Sequence, residues 1–155
     1  MNIDNIVIIL INIYEYNNDQ KHKNLLHQIS TVIRELNPKF HTDHLIVGGD
    51  LNVTPDEWMD GWPSKLSWEY RNPIMEDFTN NNKLIDIWRT LNKDVKQFTD
   101  GPIRSRIDYW LVSDSISQHV TETTISNCYL SDHCTINLRL KTEIKIIHLK
   151  IIGKI

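Results

Sequence analysis

The residues best equipped for chemistry in this chain stand at the ends of apolar runs. Ile46-Val47-Gly48-Gly49-Asp50-Leu51-Asn52 sets a carboxylate and a carboxamide two residues apart. Leu45 to Val47 reads as the end of a buried strand, and the two glycines let the backbone turn tightly where a side chain would clash. At strand period Asp50 and Asn52 point to one side, just beyond the carboxyl end of the strand, where open sheets place ligands. A carboxylate accepts protons and a carboxamide donates a neutral hydrogen bond, a pair that suits an attacking water and a phosphate oxygen. The same residues also fit a plain Gly-Gly-Asp turn followed by an Asx-turn asparagine, so the pair needs company.

Company comes from three further places: Tyr14 with Asn17 after the first apolar run, Asp108 inside Ser105-Arg106-Ile107-Asp108-Tyr109, and Asp132 with His133. Adjacent Asp and His point to opposite faces of an extended chain, so each needs its own task. A carboxylate binds a hard cation such as Mg²⁺. An imidazole can face a phosphate while a second carboxylate orients it, and Asp108 is the candidate for that carboxylate. Taken by itself, His133 reads better as a hydrogen-bonded histidine at the start of a strand.

Stepping these residues onto elements gives an α/β chain. Its 155 residues fit one domain with a real core. Ile6 to Tyr14 is a continuous β-branched run, expected as a strand buried on both faces, and only later residues can supply its neighbours. A helix is expected from Gln20, with Leu25, Ile29, Val32 and Leu36 at helical spacing and Leu26 and Ile33 beside them. Asn37-Pro38 should stop it. His44 to Gly48 is the next strand, making a β-α-β unit. Val53 to Pro73 reads as an irregular surface loop pinned by buried indoles from Trp58, Trp62 and Trp68. A short helix should follow Asn80-Asn81-Asn82, with Leu84, Ile87, Trp88 and Leu91 on one face. Strands are expected at Ile107–Ser113, Thr121–Ser126 and Cys134–Leu140, the last with Cys134, Ile136, Leu138 and Leu140 on one face. Residues 1–140 form the domain. The tail, 141–155, is basic and apolar by turns and fits either an added strand or a disordered segment.

A net charge of -3 gives no global polyanion-binding signal, so any nucleic-acid contact must come from a local basic patch. Cys128 and Cys134 lack C-x-x-C spacing and read as reduced thiols of an intracellular protein. Ile6 to Ile13 is too short to span a bilayer and lacks the flanks of a signal peptide, so no membrane role is expected.

Gly48-Gly49-Asp50-Leu51-Asn52, Ser105-Arg106-Ile107-Asp108-Tyr109 and Ser131-Asp132-His133 resemble the G-D-F-N, S-R-I-D and S-D-H motifs of the endonuclease/exonuclease/phosphatase superfamily. Tyr14-Glu15-Tyr16-Asn17 is similar to its Y-x-x-N. Trp62-Pro63-Ser64-Lys65 and Leu84-Ile85-Asp86-Ile87-Trp88-Arg89, leading to Gln97-Phe98-Thr99, most resemble the endonuclease domain of non-LTR (LINE-type) retrotransposons. The resemblance runs from about Ile6 to Leu140. It implies a DNase-like fold, a two-sheet β-sandwich flanked by helices, and Mg²⁺-dependent (or Mn²⁺-dependent) nicking of DNA that leaves a 3′-hydroxyl. By matching position, Asp50 activates the water, Asn52 and Asn17 contact phosphate oxygens, and Tyr14 lies near the scissile phosphate. Asp132 is the metal carboxylate, His133 stabilises the transition state, and Asp108 orients His133. Thr99 and Arg106 fall on substrate-binding positions.

Two departures qualify what the resemblance implies. The Thr99 loop reads Thr-Asp-Gly-Pro where the family often has Thr-Trp and a longer insert. The family's N-terminal half, with an early asparagine and a principal metal glutamate, has no counterpart here. The expectation is therefore the C-terminal part of a domain, whose full-length element would also carry a reverse transcriptase. Its activity should be impaired, with Glu15 or Asp56 the substitutes should the metal be held after all. The Ile6–Ile13 strand should then present an apolar face and an unpaired edge. The location implied is intracellular, with the nucleus a candidate compartment. A phosphatase acting on a non-nucleic-acid phosphoester, and a non-catalytic nucleic-acid-binding remnant, are the competing readings.

Overall fold

The computed structural model describes residues 6–15, 18–61, 65–101, 104–141 and 144–149. Its elements run β1 (Ile6–Tyr14), α1 (Asp19–Phe40), β2 (Leu45–Asp50), α2 (Lys65–Asn82), β3 (Leu84–Asp86), α3 (Ile87–Leu91), β4 (Asp108–Ser113), α4 (Asp114–Ser117), β5 (Val120–Ser126), β6 (Thr135–Leu140) and β7 (Ile144–Leu149). Five strands make one sheet in the order β3-β4-β2-β1-β7, and β5 with β6 makes a second. β1 runs parallel to β2 and to β7, while β4 is antiparallel to β2 and β3. This is a mixed α/β fold of two sheets flanked by helices.

Strand alternation sorts the core into two layers. Ile9, Ile11 and Ile13 of β1, Leu45 and Val47 of β2, and Tyr109 and Leu111 of β4 turn to one face. There they meet Leu26, Ile29 and Ile33 of α1 and Met75 and Phe78 of α2. Ile8, Ile46 and Val112 turn to the other face and pack with Ile87, Ile116 and, half-buried, Trp110, Leu138 and Leu140. The second face is where β5 and β6 lie. β1 is thus covered on both faces, as its unbroken apolar run requires. The expected unpaired edge is overturned: β2 takes one edge of β1 and β7 the other.

Helix α1 begins at Asn18, whose side chain accepts the Lys21 N–H at 3.1 Å, an N-cap that relieves an orphan donor. It runs through Pro38, which falls in its last turn, and ends at His41 in the left-handed region. Its buried stripe is His22, Leu26, Ile29 and Ile33, rotated from the Leu25–Val32–Leu36 line because His22 is drawn inward to Glu15. The stretch expected to stay irregular as far as Pro73 instead becomes α2 from Lys65 on. Arg71, Met75, Phe78 and Asn82 form its helical stripe, and the bond that Pro73 forfeits belongs to Glu69 on the exposed side. Asn80-Asn81-Asn82 closes α2 rather than opening the next helix. Trp58 does not pin the loop before it, being 80% exposed. Trp62, Pro63 and Ser64 lie outside the described residues.

The two glycines before Asp50 lie within β2, not in a turn. A Cβ on Gly48 would sit 2.4 Å from the Trp110 ring, and one on Gly49 would sit 2.1 Å from the Ile13 carbonyl oxygen. Gly49 also holds φ of +120°, which excludes ordinary side chains. Close approach of β1, β2 and β4 just before Asp50 is what these glycines permit.

Candidate active site

Register brings three predicted residues into one row. Tyr14 pairs with Asp50 across β1 and β2, and Asp50 pairs with Asp108 across β2 and β4. All three fall on the alternation that faces the second sheet. His133 arrives from that side, immediately before β6. The loop ahead of it is tied to the loop before β4 by the Asp100–His133 bridge, the Cys134 N–H donating to the Thr99 carbonyl at 2.7 Å, and the Gly101 N–H donating to the Asp132 carbonyl at 3.3 Å. His133 Nδ1 then lies 2.8 Å from Asp108 Oδ2. With Nδ1–H donating to the carboxylate, Nε2 is the ring atom left for other work.

The electrostatics of the row are uneven. Burial raises the Asp50 pKa from 3.8 to about 6, the Asp108 charge adds to this, and the Asn52 N–H opposes it. Partial burial works against a charged His133. Its hydrogen bond to Asp108 and the negative charges of Asp108, Asp50 and Asp100 outweigh that and hold its pKa above the ordinary value. Ligand atoms of Asp50, Asp108 and His133 all lie within 4.8 Å of one another, a group able to hold a metal ion. Two facing carboxylates and an imidazole at that spacing are a donor set that fits a divalent cation.

Other predicted residues are placed differently. Asn52 leaves the strand path with φ of 48°, and its side-chain amide donates to the Glu15 carbonyl at 2.9 Å. Its own N–H donates to Asp50 Oδ1 at 3.1 Å, and its carbonyl accepts from Arg71 Nη1 at 3.0 Å. It shapes the end of β2. Thr99 is fully buried, its hydroxyl accepting the N–H groups of Ile107 and Asp108 at 3.0 Å each, which braces Asp108 from below rather than meeting a substrate. Arg106 is turned inward. It is fully buried, with Nε 2.6 Å from Asp60 Oδ1 and Nη2 2.5 Å from Asp86 Oδ2, so no substrate reaches it. Asp132 is exposed and lies outside the group formed by Asp50, Asp108 and His133. Asn17 lies outside the described residues. Neither proposed substitute is free: Glu15 is buried against His22 Nδ1 at 2.5 Å, and Asp56 accepts the N–H groups of Trp58 and Met59 at 2.8 Å each.

Sequence reasoning missed the supports. Arg71, buried on α2, reaches both Asp19 at 2.7 Å and the Asn52 carbonyl. Its place four residues before Met75 on an apolar stripe was the available signal. Asp60, Asp86 and Arg89, which enclose Arg106, carried no comparable pattern.

The model of the endonuclease-reverse transcriptase family matches residues 8–137. The chain belongs to that family. Solved structures agree on the fold. The 3′-5′ exonuclease NExo from Neisseria meningitidis superposes with a TM-score of 0.61 at 15% identity, covering 83% of this chain and 56% of that one. An AP endonuclease from Archaeoglobus fulgidus gives 0.57 at 16% identity over 86% of this chain and 62% of that one. The AP endonuclease LMAP from Leishmania major gives 0.52 at 20% identity over 63% and 35%. This is the DNase-like fold of the endonuclease/exonuclease/phosphatase superfamily, and the chain spans between 35% and 62% of the length of these relatives. No curated protein sequence matches it.

Proposed function

We propose that this chain is the nuclease portion of a non-LTR retrotransposon, nicking DNA with the help of a divalent cation. The observation that carries the reading is the row of Tyr14, Asp50 and Asp108 with His133 bonded to Asp108 at 2.8 Å. Asp50, at the end of β2 beside the Asp108–His133 pair, would position the attacking water. His133, fixed through Nδ1, presents Nε2 to the charge that develops on the phosphate. Tyr14, 55% exposed at the end of β1, is the phenol beside the scissile phosphate. Asn52 holds the Asp50 strand end in place, and Thr99 and Arg106 support the segment that carries Asp108.

A bound Mg²⁺ or Mn²⁺ ion neutralises phosphate oxygens. The carboxylates of Asp50 and Asp108 would hold it, with Asp132, next to His133 in sequence, as a further carboxylate. Mg²⁺ binds weakly to one or two carboxylates without a substrate phosphate, so turnover by this chain alone is slow. In the complete element it works beside the rest of the nuclease domain and a reverse transcriptase, on DNA inside the cell, the nucleus included.

The test incubates the purified chain with supercoiled plasmid and Mg²⁺. Slow conversion to open circles bearing polymerase-extendable 3′ ends, lost in Asp50→Ala and His133→Ala, is expected. Nicking equal in the parent and both variants would contradict the reading.

A further inference from the structure

The β5–β6 hairpin closes at the Ser126–Thr135 pair and carries residues 127–134 in its loop. His133 sits on the returning arm of that loop. Tyr129 and Leu130 sit at its tip, 100% and 97% exposed. The arm is anchored: the His133 N–H donates to Ser131 Oγ at 3.1 Å, and Cys134 Sγ donates to Asn127 Oδ1 at 3.6 Å. Fully exposed among the described residues, the two side chains add no burial to this chain's core.

Distance ties the tip to the site. Four residues of extended chain reach at most about 14 Å, which bounds Tyr129 from His133. Bases along one strand rise about 3.4 Å each, so a phosphate held at His133 has several neighbouring bases within range of the tip. A tyrosine ring accepts any base face, and small apolar side chains wedge between base steps. The chain's net charge of -3 adds no overall attraction to a polyanion. An apolar hold on the bases supplies affinity that charge does not.

We propose that Tyr129 and Leu130 grip the nucleobases flanking the scissile phosphate, Tyr129 by stacking and Leu130 by wedging against the adjacent step. This rests on the nuclease reading above and adds to it a means of choosing where along the strand cleavage falls.

The experiment uses the full chain and a fluorescein-labelled oligonucleotide, read by anisotropy across a salt series. Tyr129→Ala with Leu130→Ala should weaken binding about tenfold, with the salt slope unchanged because no phosphate contact is lost. Tyr129→Phe should retain affinity, and melting temperature should not move. Replacing successive bases by abasic sites should weaken binding to the parent at one or two positions and leave the double variant indifferent. A parent that neither binds nor nicks DNA overturns the nuclease reading and this inference with it. A binding parent whose double variant binds equally well overturns this inference alone. So does a double variant that only converts a dimer to a monomer, since a second copy would then be the occupant.

Discussion

Two clusters of charge flank the Ser105-Arg106-Ile107-Asp108 segment, and they are built on opposite principles. On one side, Arg106 is enclosed by Asp60 and Asp86, with Asp60 also bonded to Arg89. Its guanidinium lies 5.1 Å from the ring centres of both Trp88 and Tyr109. Burial opposes its charge, but the two carboxylates more than compensate and raise its pKa above the ordinary value. On the other side, Asp108 faces Asp50 with only the half-buried His133 between them and solvent. The first cluster pairs each carboxylate with a guanidinium, leaving Arg106 Nη1 and Arg89 Nε buried without a hydrogen-bond partner among the described residues, and holds the segment still. In the second, burial and the neighbouring Asp108 charge raise the Asp50 pKa to about 6, with His133 the one cation among the described residues set against them. Two residues of one motif, Arg106 and Asp108, thus divide into a buried anchor and a carboxylate that fixes His133.

His133→Ala should cut nicking by about 10²- to 10⁴-fold, the usual range for a positioned acid–base or charge-stabilising group. Its melting temperature should stay close to the parent's, because the side chain is partly exposed. A large drop in melting temperature would move His133 into the anchor class.

Arg106→Met is the converse. It should lower unfolding free energy by about 3 kcal/mol or more, because a fully buried Asp60 loses its main partner. Urea denaturation followed by circular dichroism checks this, and Arg106→Lys should not restore stability, since an ammonium cannot span both carboxylates with a planar fork. Near-parental stability in Arg106→Met would show that the anchor is not one.

A smaller effect separates the clusters by pH. In the folded, metal-free protein Asp50 keeps its proton up to about pH 6, against 3.8 for the ordinary carboxyl. Between those values the folded state binds more protons than the unfolded state, so this group's contribution to stability falls as pH rises through the window and stays low above it. Asp50→Asn should therefore stabilise the protein in EDTA at pH 7.5, by about 1 kcal/mol after allowance for the part exposure of the group, while abolishing nicking. Saturating Mg²⁺ should narrow the stability difference. An Asp50→Asn variant less stable than the parent in EDTA would contradict the raised pKa of Asp50.

Much of this was legible in the residues. The β1 run, the β-α-β opening and the alternation of β6, with Ile136, Leu138 and Leu140 half-buried on one side, follow from apolar periodicity. The pairing of His133 with Asp108 followed from motif order. Long-range register was not legible. That Tyr14, Asp50 and Asp108 share one row depends on β4 running antiparallel to β2, which neither segment encodes by itself. Helix α2 was hidden by Pro73 and three asparagines, which argue locally for loops but are overruled by the packing of Met75 and Phe78. A motif arginine near a phosphate site reads as a ligand, and only burial shows that Arg106 has Asp60 and Asp86 as partners. Asn52 obeyed strand alternation on paper, and its left-handed backbone turned it to the Glu15 carbonyl instead.

The central claim is that the facing carboxylates next to His133 form a cation-dependent phosphodiesterase site. Its most direct test is the rate of plasmid nicking by the purified chain, measured from EDTA through millimolar Mg²⁺ in parallel with Asp50→Asn. The account predicts no nicking in EDTA, a rate that climbs with Mg²⁺ without early saturation, and a flat baseline for the variant. Nicking that persists in EDTA, or that rises equally in Asp50→Asn, would contradict it.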